Sequence, residues 1–453
     1  MKTFNLALLC DFYELTMAQG YFNSGKKDQI SYFDIFFRRV PDDGGFAIFA
    51  GLESVLDFVE NFHFNNDDIA YLKSLNYFND AFLNFLKNFK FNGSIYAMNE
   101  GEIIFANEPI LCIKATSIQA QLLETFLLLS LNHQSLIATK TNRIVRSAKN
   151  RPVLEFGARR AHGKEAAING ARAAIIGGCM ASSCTLAAKY YNITPSGTMA
   201  HSWVQMFDNE YEAFCEYLKL YPNNPTLLID TYNYKSGLEN AIKVFKKFNI
   251  LNGAIRIDSG DLERLSKRIR KKLNKANLKS CKIIVSNSLD EYMIENLLDK
   301  NAPIDAFGVG ERLITASSEP IFGFVYKLVA NEINNKIIPK IKLSEDKQKT
   351  IIPHFKRVLR FYDKKSKKFL YDKIFVYDEK IDFNQPYKEL LKLVFDNGKR
   401  LVKSPNLKDI SLYTKKQLSH LDNELLSLKP NVKYKVKLSK KLTSTIKNFK
   451  HSL

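Results

Sequence analysis

Between residues 153 and 330 the sequence alternates short apolar runs with helical stretches, and this alternation is the strongest constraint on the fold. The apolar runs are Val153–Phe156, Thr198–His201, Thr226–Ile229, Gly253–Ile257, Lys282–Val285, Ala306–Val309 and Phe324–Leu328. The helical stretches that separate most of them are Glu165–Ala174, Glu210–Leu220, Leu238–Phe248, Leu262–Leu273 and Glu291–Leu298. Alternation at this spacing predicts parallel strands with helices packed outside them, and six or seven repeats predict a closed or nearly closed barrel.

Both ends of the chain carry a different pattern, which is typical of antiparallel strands. Apolar and polar residues alternate at Ile30–Arg38 near the N-terminus, and again at Ile337–Ile341 and Val358–Tyr362 beyond the barrel. We therefore expect the two ends to form a single second domain. The predicted division is an N-terminal part at residues 1–115, an α/β barrel catalytic domain at 116–335, and a C-terminal part with a lysine-rich tail at 336–453.

Composition and charge narrow the classes of function. The net charge of +20 would suit a nucleic-acid-binding protein, but residues 401–453 alone hold twelve lysines and three acidic residues, and the rest of the excess is spread along the chain. We expect no nucleic-acid partner, because an anionic small substrate is a better use of part of the charge. The six cysteines form no C-x-x-C pair, so no residue is assigned as a metal ligand.

The sequence also argues against a membrane protein. No apolar run reaches the roughly 18 residues of a membrane span. The first six residues contain one lysine and lack the apolar stretch of a signal peptide. We therefore expect a cytoplasmic protein with no membrane partner.

Polar residues and glycines stand where the predicted strands end. In a barrel of parallel strands, catalytic residues sit at the carboxyl ends of the strands. The residues at these positions are Glu155, His201, Asp230, Arg256, Asp258, Ser286, Asn287 and Gly310. From the pattern alone, they are the candidate site residues.

The run Ala254–Asp261 is the most specific of these strand ends. Arg256 and Asp258 stand two residues apart, which places them on one face of a strand. The following Ser259 and Asp261 begin a helix whose free N–H groups suit an anion or a sugar hydroxyl, although either residue could simply cap that helix. Arg256 has no such structural explanation, because a buried arginine needs an anionic partner.

Two further segments indicate anion recognition. Gly308 and Gly310 end one of the last strands, where barrels often place a phosphate site, and Ser286 and Asn287 could donate hydrogen bonds to the same phosphate. The alternative for the glycines is an ordinary turn. After the strand that ends at Glu155, Arg159 and Arg160 suggest recognition of a planar anion, with a surface charge pair as the alternative.

Seven motifs, taken in order and with their spacing, resemble those of the nicotinate phosphoribosyltransferase family. The resemblance runs from about residue 8 to residue 330, with weaker support to the end. The motifs are Asp11-Phe12-Tyr13-Glu14-Leu15-Thr16-Met17, Phe36-Phe37-Arg38, Glu155-Phe156-Gly157-Ala158-Arg159-Arg160, Gly197-Thr198-Met199-Ala200-His201-Ser202, Asp230-Thr231-Tyr232, Arg256-Ile257-Asp258-Ser259-Gly260-Asp261 and Gly308-Val309-Gly310.

This resemblance implies a fold and a reaction. The fold is an incomplete α/β barrel beside an α+β sandwich domain built from the N- and C-terminal parts of the chain. The reaction joins nicotinate and phosphoribosyl pyrophosphate into nicotinate mononucleotide and pyrophosphate, with coupled ATP hydrolysis and Mg²⁺. The resemblance also implies a homodimer whose active sites are shared between subunits.

The resemblance assigns roles to residues of the ring-binding and ATP-coupling parts of the site. His201 matches the histidine that ATP phosphorylates. Tyr13, from the neighbouring subunit, and Phe156 match the two aromatic residues that stack on the pyridine ring. Thr198 and Arg256 match residues that contact nicotinate.

The remaining assigned roles concern the ribose and its phosphates. Arg159 matches an arginine that faces pyrophosphate or substrate. Asp258 matches the acid that holds the ribose hydroxyls, and Asp230 is a second carboxylate that can stabilise a cation-like transition state. Gly308 and Gly310 match the loop around the 5′-phosphate.

One position departs from the family pattern, and another bears on the choice of substrate. Glu311 stands where relatives often have a small hydroxyl residue, so the sequence leaves open which group donates to the phosphate there. Ser183, in a segment predicted to open a helix, stands where related nicotinamide enzymes carry an aspartate, and a serine can donate to the carboxylate of nicotinate. Nicotinamide or quinolinate as substrate is the alternative within the same fold, and a basic nucleic-acid-binding protein is the alternative from another class.

Overall fold

The computed structural model describes residues 5–342 and 351–452. The strands, in chain order, are β1 Ile30–Phe36, β2 Ala47–Ile48, β3 Ser94–Ala97, β4 Ile103–Ile104, β5 Leu111–Thr116, β6 Val153–Glu155, β7 Ala181–Ser182, β8 Thr226–Leu228, β9 Ala254–Ile257, β10 Lys282–Val285, β11 Ala306–Val309, β12 Val325–Ile333, β13 Lys336–Pro339, β14 Lys356–Tyr362, β15 Phe369–Val376, β16 Tyr387–Glu389, β17 Lys392–Asp396, β18 Lys399–Arg400 and β19 Val436–Leu438.

The α-helices, again in chain order, are α1 Phe12–Asn23, α2 Leu52–Asn61, α3 Asn66–Ser74, α4 Asp80–Lys87, α5 Ser117–Gln121, α6 Glu124–Ser147, α7 Lys164–Gly177, α8 Thr185–Tyr191, α9 His201–Gln205, α10 Glu210–Leu220, α11 Tyr234–Lys247, α12 Leu262–Lys275, α13 Glu291–Asp299, α14 Glu311–Ile314, α15 Leu407–Ser419 and α16 Lys440–Ser452. Within the two described ranges, no helix combines the length and the apolar character needed to cross a membrane.

The chain folds into two compact units, and the first is built from both ends of the chain. It comprises residues 1–136 and 321–453, and the second comprises residues 137–320. The units therefore divide inside α6 and before β12, whereas the sequence pattern placed the divisions after residues 115 and 335. A fold class of one parallel α/β sheet and one α+β unit made by the two chain ends is confirmed.

The first unit is organised around antiparallel sheets. Its largest sheet has seven strands in the order β13-β12-β1-β5-β3-β17-β18, and a four-stranded sheet has the order β16-β14-β15-β19. The central strand β1 reads ISYFDIF, and six of its seven residues are buried, as expected for β-branched and aromatic residues packed on both faces. It pairs antiparallel with β5 from the N-terminal part and with β12 from the C-terminal part.

The second unit holds a single parallel sheet of six strands in the order β7-β6-β11-β10-β9-β8. Its central strands are short: β11 is wholly buried, and β9 and β10 are buried in three and two of their four residues, which is the usual condition of parallel strands covered by helices. Asp261 caps α12 by accepting from the Arg264 N–H at 3.0 Å, and Asp290 caps α13 by accepting from the Met293 N–H at 2.8 Å. Each cap ends a strand-to-helix connection, so the chain turns at the carboxyl edge of the sheet.

Three predicted elements differ in the structure. Thr198–His201 is not a strand: it lies outside the sheet, and His201 begins the short helix α9. Phe324–Leu328 is not a barrel strand, because β12 continues to Ile333 and pairs antiparallel with β1 in the first unit. The segment predicted to open a helix at Gly178–Cys184 instead contains the edge strand β7, and α8 begins only at Thr185.

Candidate active site

The register of the parallel sheet brings the candidate residues to one edge. Leu228 pairs with Arg256, Val285 with Ile257, and Val285 also with Phe307. The next residues along these strands and their loops are the candidates Asp230, Asp258, Ser286 and Gly308, which therefore follow one another across four neighbouring strands. Parallel strands all present their carboxyl ends at the same edge, which is where α/β folds place their sites.

Arg256 is the centre of a hydrogen-bonded network at this edge. Its Nη1 donates to Thr198 Oγ1 at 2.6 Å and to the Met199 carbonyl at 3.2 Å, and its Nε donates to Ser286 Oγ at 3.1 Å. Its Nη2 lies 3.4 Å from Asp258 Oδ2, and 13% of the side chain is exposed. The expected anionic partner of this mostly buried arginine is thus Asp258, in the same strand-to-loop segment.

Asp230 fixes the turn that carries Asp258. Its Oδ2 accepts from the backbone N–H of Asp258 at 2.8 Å and from the hydroxyl of Ser259 at 2.6 Å. Its Oδ1 is buried and has no hydrogen-bond partner among the described residues. Oδ2 of Asp230 therefore accepts hydrogen bonds from the protein, whereas Oδ1 receives none from the described residues.

His201 lies beside the ends of β8 and β9, the two strands that lead to Asp230 and Asp258. Its Nδ1 is 3.1 Å from Thr231 Oγ1, and its Nε2 is 3.9 Å from Asp258 Oδ2. The side chain is 41% exposed, so one edge of the imidazole remains accessible. The two contacts orient the ring at the end of β8 and β9 even though His201 itself belongs to a loop and a short helix.

The loop that carries His201 spans the gap between the two edge strands of the sheet. Next to β7, the Ser196 N–H donates to the Ser182 carbonyl at 2.9 Å, and Pro195 forms an isolated parallel bridge with Ser182. Before β8, Asn224 Nδ2 donates to the Gly197 carbonyl at 3.1 Å. Proline has no N–H to donate to a ladder, which is consistent with the sheet ending here while the chain continues across the opening.

Phe156 packs against the two glycines of the last barrel strand. A Cβ atom on Gly308 would lie 2.6 Å from Phe156 Cδ2, and one on Gly310 would lie 3.0 Å from the Phe156 carbonyl oxygen. The Phe156 N–H also donates to the Val309 carbonyl at 2.8 Å. Glycine is required at Gly308 because the ring of Phe156 occupies the space of a side chain.

Glu155, the last residue of β6, links the ends of β6 and β7 through its side chain. Its carboxylate accepts from the Ser182 hydroxyl at 2.5 Å and from the Gly157 N–H. Burial raises the pKa of Glu155, and these two donors oppose that rise. The adjacent Ser183 is exposed, its N–H donates to the Glu155 carbonyl at 2.8 Å, and it does not cap α8, whose N-cap is Cys184.

Three predicted site residues stand apart from these contacts. Arg159 is exposed on the loop after β6, and Asn287 is exposed after β10 with a φ of 97°, a left-handed conformation in which asparagine is the least unfavourable residue after glycine. Tyr13 lies in α1 of the first unit and is 44% exposed. Burial and the carboxylate of Glu124 raise the pKa of the Tyr13 phenol.

The structure adds three residues that pattern reasoning did not select. Thr231 contacts the imidazole of His201, Ser259 bonds Asp230, and Ser182 bonds Glu155. Each stands next to a selected residue in sequence, in a motif or at a strand end. Their proximity to Asp230, Asp258 and Ser183 was the available signal, since small hydroxyl residues in a loop carry no periodicity of their own.

The matching family models and the curated sequence relatives agree on one family across nearly the whole chain. The family models for the nicotinate phosphoribosyltransferase N-terminal domain, the nicotinate phosphoribosyltransferase family and its C-terminal domain match residues 8–132, 152–399 and 383–446. A nicotinate phosphoribosyltransferase of Bacillus subtilis is 40% identical, covering 97% of this chain and 94% of the relative. One of Mycobacterium tuberculosis is 38% identical, covering 98% and 94%.

A solved structure agrees with these sequence relatives. The crystal structure of human nicotinic acid phosphoribosyltransferase superimposes with a TM-score of 0.85 at 26% identity, covering 97% of this chain and 99% of the human chain. Sequence and fold thus point the same way over the site and over both units. The chain belongs to the nicotinate phosphoribosyltransferase family.

Proposed function

We propose that this protein is a nicotinate phosphoribosyltransferase that joins nicotinate to phosphoribosyl pyrophosphate, releases pyrophosphate, and couples the reaction to ATP hydrolysis. The observation that carries the proposal is the network of Thr198, Arg256, Ser286 and Asp258 at the carboxyl edge of the sheet. It places a cation suited to a carboxylate beside an anion suited to sugar hydroxyls. Nicotinate carries the first group, and the ribose of phosphoribosyl pyrophosphate carries the second.

Recognition of nicotinate is assigned to two groups, one for its carboxylate and one for its ring. Arg256 supplies a charge-assisted donor for the nicotinate carboxylate, and Thr198 holds the guanidinium in place. Phe156, packed on Gly308, offers a ring for stacking on the pyridine. Nicotinamide has no negative charge to offer Arg256, so the same geometry favours nicotinate.

Bond exchange at the anomeric carbon needs negative charge near the ribose. The C1′–O bond to pyrophosphate breaks with its electron pair on the leaving oxygen, and the pyridine nitrogen donates its lone pair to form the C1′–N bond. The ribose passes through a cation-like state, which the carboxylates of Asp258 and Asp230 stabilise. Asp258 accepts hydrogen bonds from the ribose hydroxyls and thereby orients the sugar.

ATP coupling is assigned to His201. The γ-phosphoryl group passes to an imidazole nitrogen as ADP departs, and hydrolysis later returns the free histidine and phosphate. The 41% exposure of the side chain supports access by a nucleotide. The added negative charge beside Asp258 and Arg256 then changes the electrostatics of the site in each cycle.

The carboxylates present fit Mg²⁺ held mainly by substrate phosphates. Among the described residues there is no cluster of three or more His, Cys, Asp or Glu side chains that could enclose a metal ion. Mg²⁺ commonly binds through one or two carboxylates together with phosphates and water. Asp258 and Asp230, the latter with an unpartnered Oδ1, would supply those carboxylates, and the ion would neutralise the leaving pyrophosphate.

Sharing of the active site between two subunits is part of the proposal. Tyr13 is exposed on α1 and would complete the ring stack in the site of a partner subunit. A cytoplasmic location and the absence of a nucleic-acid partner remain predictions.

One assay tests the proposed function. Purified protein is incubated with phosphoribosyl pyrophosphate and Mg²⁺, with nicotinate or nicotinamide, and with or without ATP, and the mononucleotide is measured by chromatography. We expect nicotinate mononucleotide, stimulated by ATP, and little product from nicotinamide. His201→Ala should leave a slow reaction that ATP no longer stimulates. Product from nicotinamide alone, or full ATP stimulation in His201→Ala, would contradict the substrate or the histidine role respectively.

A further inference from the structure

One buried hydroxyl stands between the two charged groups of the site. Ser286 is 5% exposed, and its Oγ donates to Asp258 Oδ1 while accepting from Arg256 Nε at 3.1 Å. A serine hydroxyl has a single hydrogen, and here Asp258 receives it. Ser286 therefore differs from its expected role as a donor to a phosphate.

Arg256 and Asp258 also contact one another directly. Nη2 of the arginine lies 3.4 Å from Oδ2 of the aspartate, and the two side chains are 13% and 26% exposed. The other nitrogens of Arg256 already bond Thr198, Met199 and Ser286. Nη2 carries two N–H groups, so a second carboxylate can bind beside Asp258, and its negative charge then competes with that of Asp258 for the positive charge of the guanidinium.

We propose that Ser286 is a positioning residue that couples the binding of the two substrates. This inference rests on the proposed function, which assigns nicotinate to Arg256 and the ribose to Asp258. When the nicotinate carboxylate pairs with Nη2, it neutralises part of the positive charge that faces Asp258, and Asp258 becomes a better acceptor for ribose hydroxyls. The bond from Ser286 keeps the released carboxylate in position, so bound nicotinate prepares the ribose subsite.

The coupling acts in both directions. Ribose hydroxyls that engage Asp258 weaken its attraction to Arg256 and leave Nη2 for nicotinate. Thermodynamic linkage requires the same factor for both substrates, and couplings of this kind are commonly about 5- to 150-fold. Without the hydroxyl, a released Asp258 is free to turn away, and neither substrate benefits from the other.

The test measures nicotinate binding by calorimetry, in the absence and presence of a saturating carbocyclic analogue of phosphoribosyl pyrophosphate, which cannot react. For the wild type we expect the analogue to tighten nicotinate binding by at least about fivefold. In Ser286→Ala the factor should fall to within about twofold of unity, while nicotinate still binds. Ser286→Cys, which keeps a weak donor of similar size, should retain part of the coupling.

Ser266→Ala is the matched control. Ser266 is also a fully buried serine of the second unit, but its hydroxyl donates only to the Glu263 carbonyl of its own helix, at 3.0 Å. This variant should show the wild-type coupling. Thermal melting of all variants shows whether each is folded. If Ser286→Ala does not fold, the coupling measured in Ser286→Cys tests the role of Ser286.

Three outcomes would overturn the role of Ser286. Coupling of wild-type size in Ser286→Ala would do so, as would a wild-type protein that binds both ligands independently. An equal loss of coupling in Ser266→Ala would show that any lost buried hydroxyl in the second unit reduces the coupling, and that Ser286 has no specific role. A wild type that binds no nicotinate at all would reject the proposed function together with the coupling, and so is distinguishable from the other results.

Discussion

Replacing Gly308 with alanine tests whether the ring of Phe156 forms part of the nicotinate site. The added Cβ would lie 2.6 Å and 2.7 Å from two atoms of that ring and 3.3 Å from Ser286 Cβ. Gly308 does not have a left-handed backbone conformation, so the contact itself is the whole perturbation. To reach the 3.4 Å at which ordinary contact begins, the ring must retreat by about 0.8 Å.

That displacement sets the expected magnitudes. Overpacking a filled position typically costs about 1–3 kcal/mol of stability. Misplacing a substrate-positioning group by about 1 Å can cost up to about a hundredfold in rate. We therefore expect Gly308→Ala to lower the free energy of unfolding by about 1–3 kcal/mol and kcat/KM for nicotinate by about 10- to 100-fold.

Gly253→Ala separates the two effects. Its added Cβ would lie 2.7 Å from the ring of Phe245, a fully buried residue of α11, just before β9 at the opposite end of the strands. We expect a similar loss of stability in urea unfolding but a kcat/KM within about twofold of the wild type. If Gly308→Ala behaves like Gly253→Ala in steady-state kinetics, Phe156 does not position nicotinate and the stacking role is refuted.

Three further perturbations address other parts of the molecule. Ser183→Asp should reduce nicotinate turnover by about a hundredfold or more, because a carboxylate next to bound nicotinate would repel that of the substrate, and unchanged turnover would exclude Ser183 from the site. Mixing inactive Tyr13→Ala and Asp258→Ala proteins should restore activity, because a mixed dimer contains one intact site, and a mixture without activity after proven subunit exchange would place Tyr13 outside the partner's site. Burial raises the pKa of Glu14 to about 7, so its ionisation on raising the pH from about 4.5 to 7 destabilises the folded state. Glu14→Gln should therefore gain about 1–3 kcal/mol over the wild type between pH 5 and pH 8 in urea unfolding, and a difference independent of pH would contradict this.

Strand positions were predictable wherever burial alone decides them. Lys282–Val285 and Ala306–Val309 form strands at the predicted bounds, because each is a short and mostly apolar run between turn residues. Phe324–Leu328 has the same local pattern, yet its partner is a strand nearly three hundred residues away in sequence, and local periodicity carries no information on such pairing. The prediction for Thr198–His201 was wrong for a different reason: these residues form a loop and the start of α9, and only Met199 among them is buried.

The candidate site shows the same limit. Arg256, Asp258 and Asp230 were selected because they end strands, and the parallel register explains why they meet. The direction of each hydrogen bond was not predictable. Ser286 could have served a phosphate as readily as Asp258, and only the packing of neighbouring strands decides where a hydroxyl points.

The segment of residues 195–201 lies between the two edge strands of the parallel sheet, β7 and β8, without joining the sheet as a strand. Between these two edge strands no ladder is found among the described residues, and residues 195–201 are held by separate hydrogen bonds to the Ser182 carbonyl, from the Asn224 side chain and between His201 and Thr231. Separating two paired strands requires several hydrogen bonds to break together. Residues 195–201 are held by separate hydrogen bonds, which can break one at a time. Amide hydrogens of residues 197–201 should thus exchange with solvent long before those of β9 and β10. His201 would then move with the segment that opens most easily, while β9 and β10, which lead to Asp258 and Ser286, stay hydrogen-bonded.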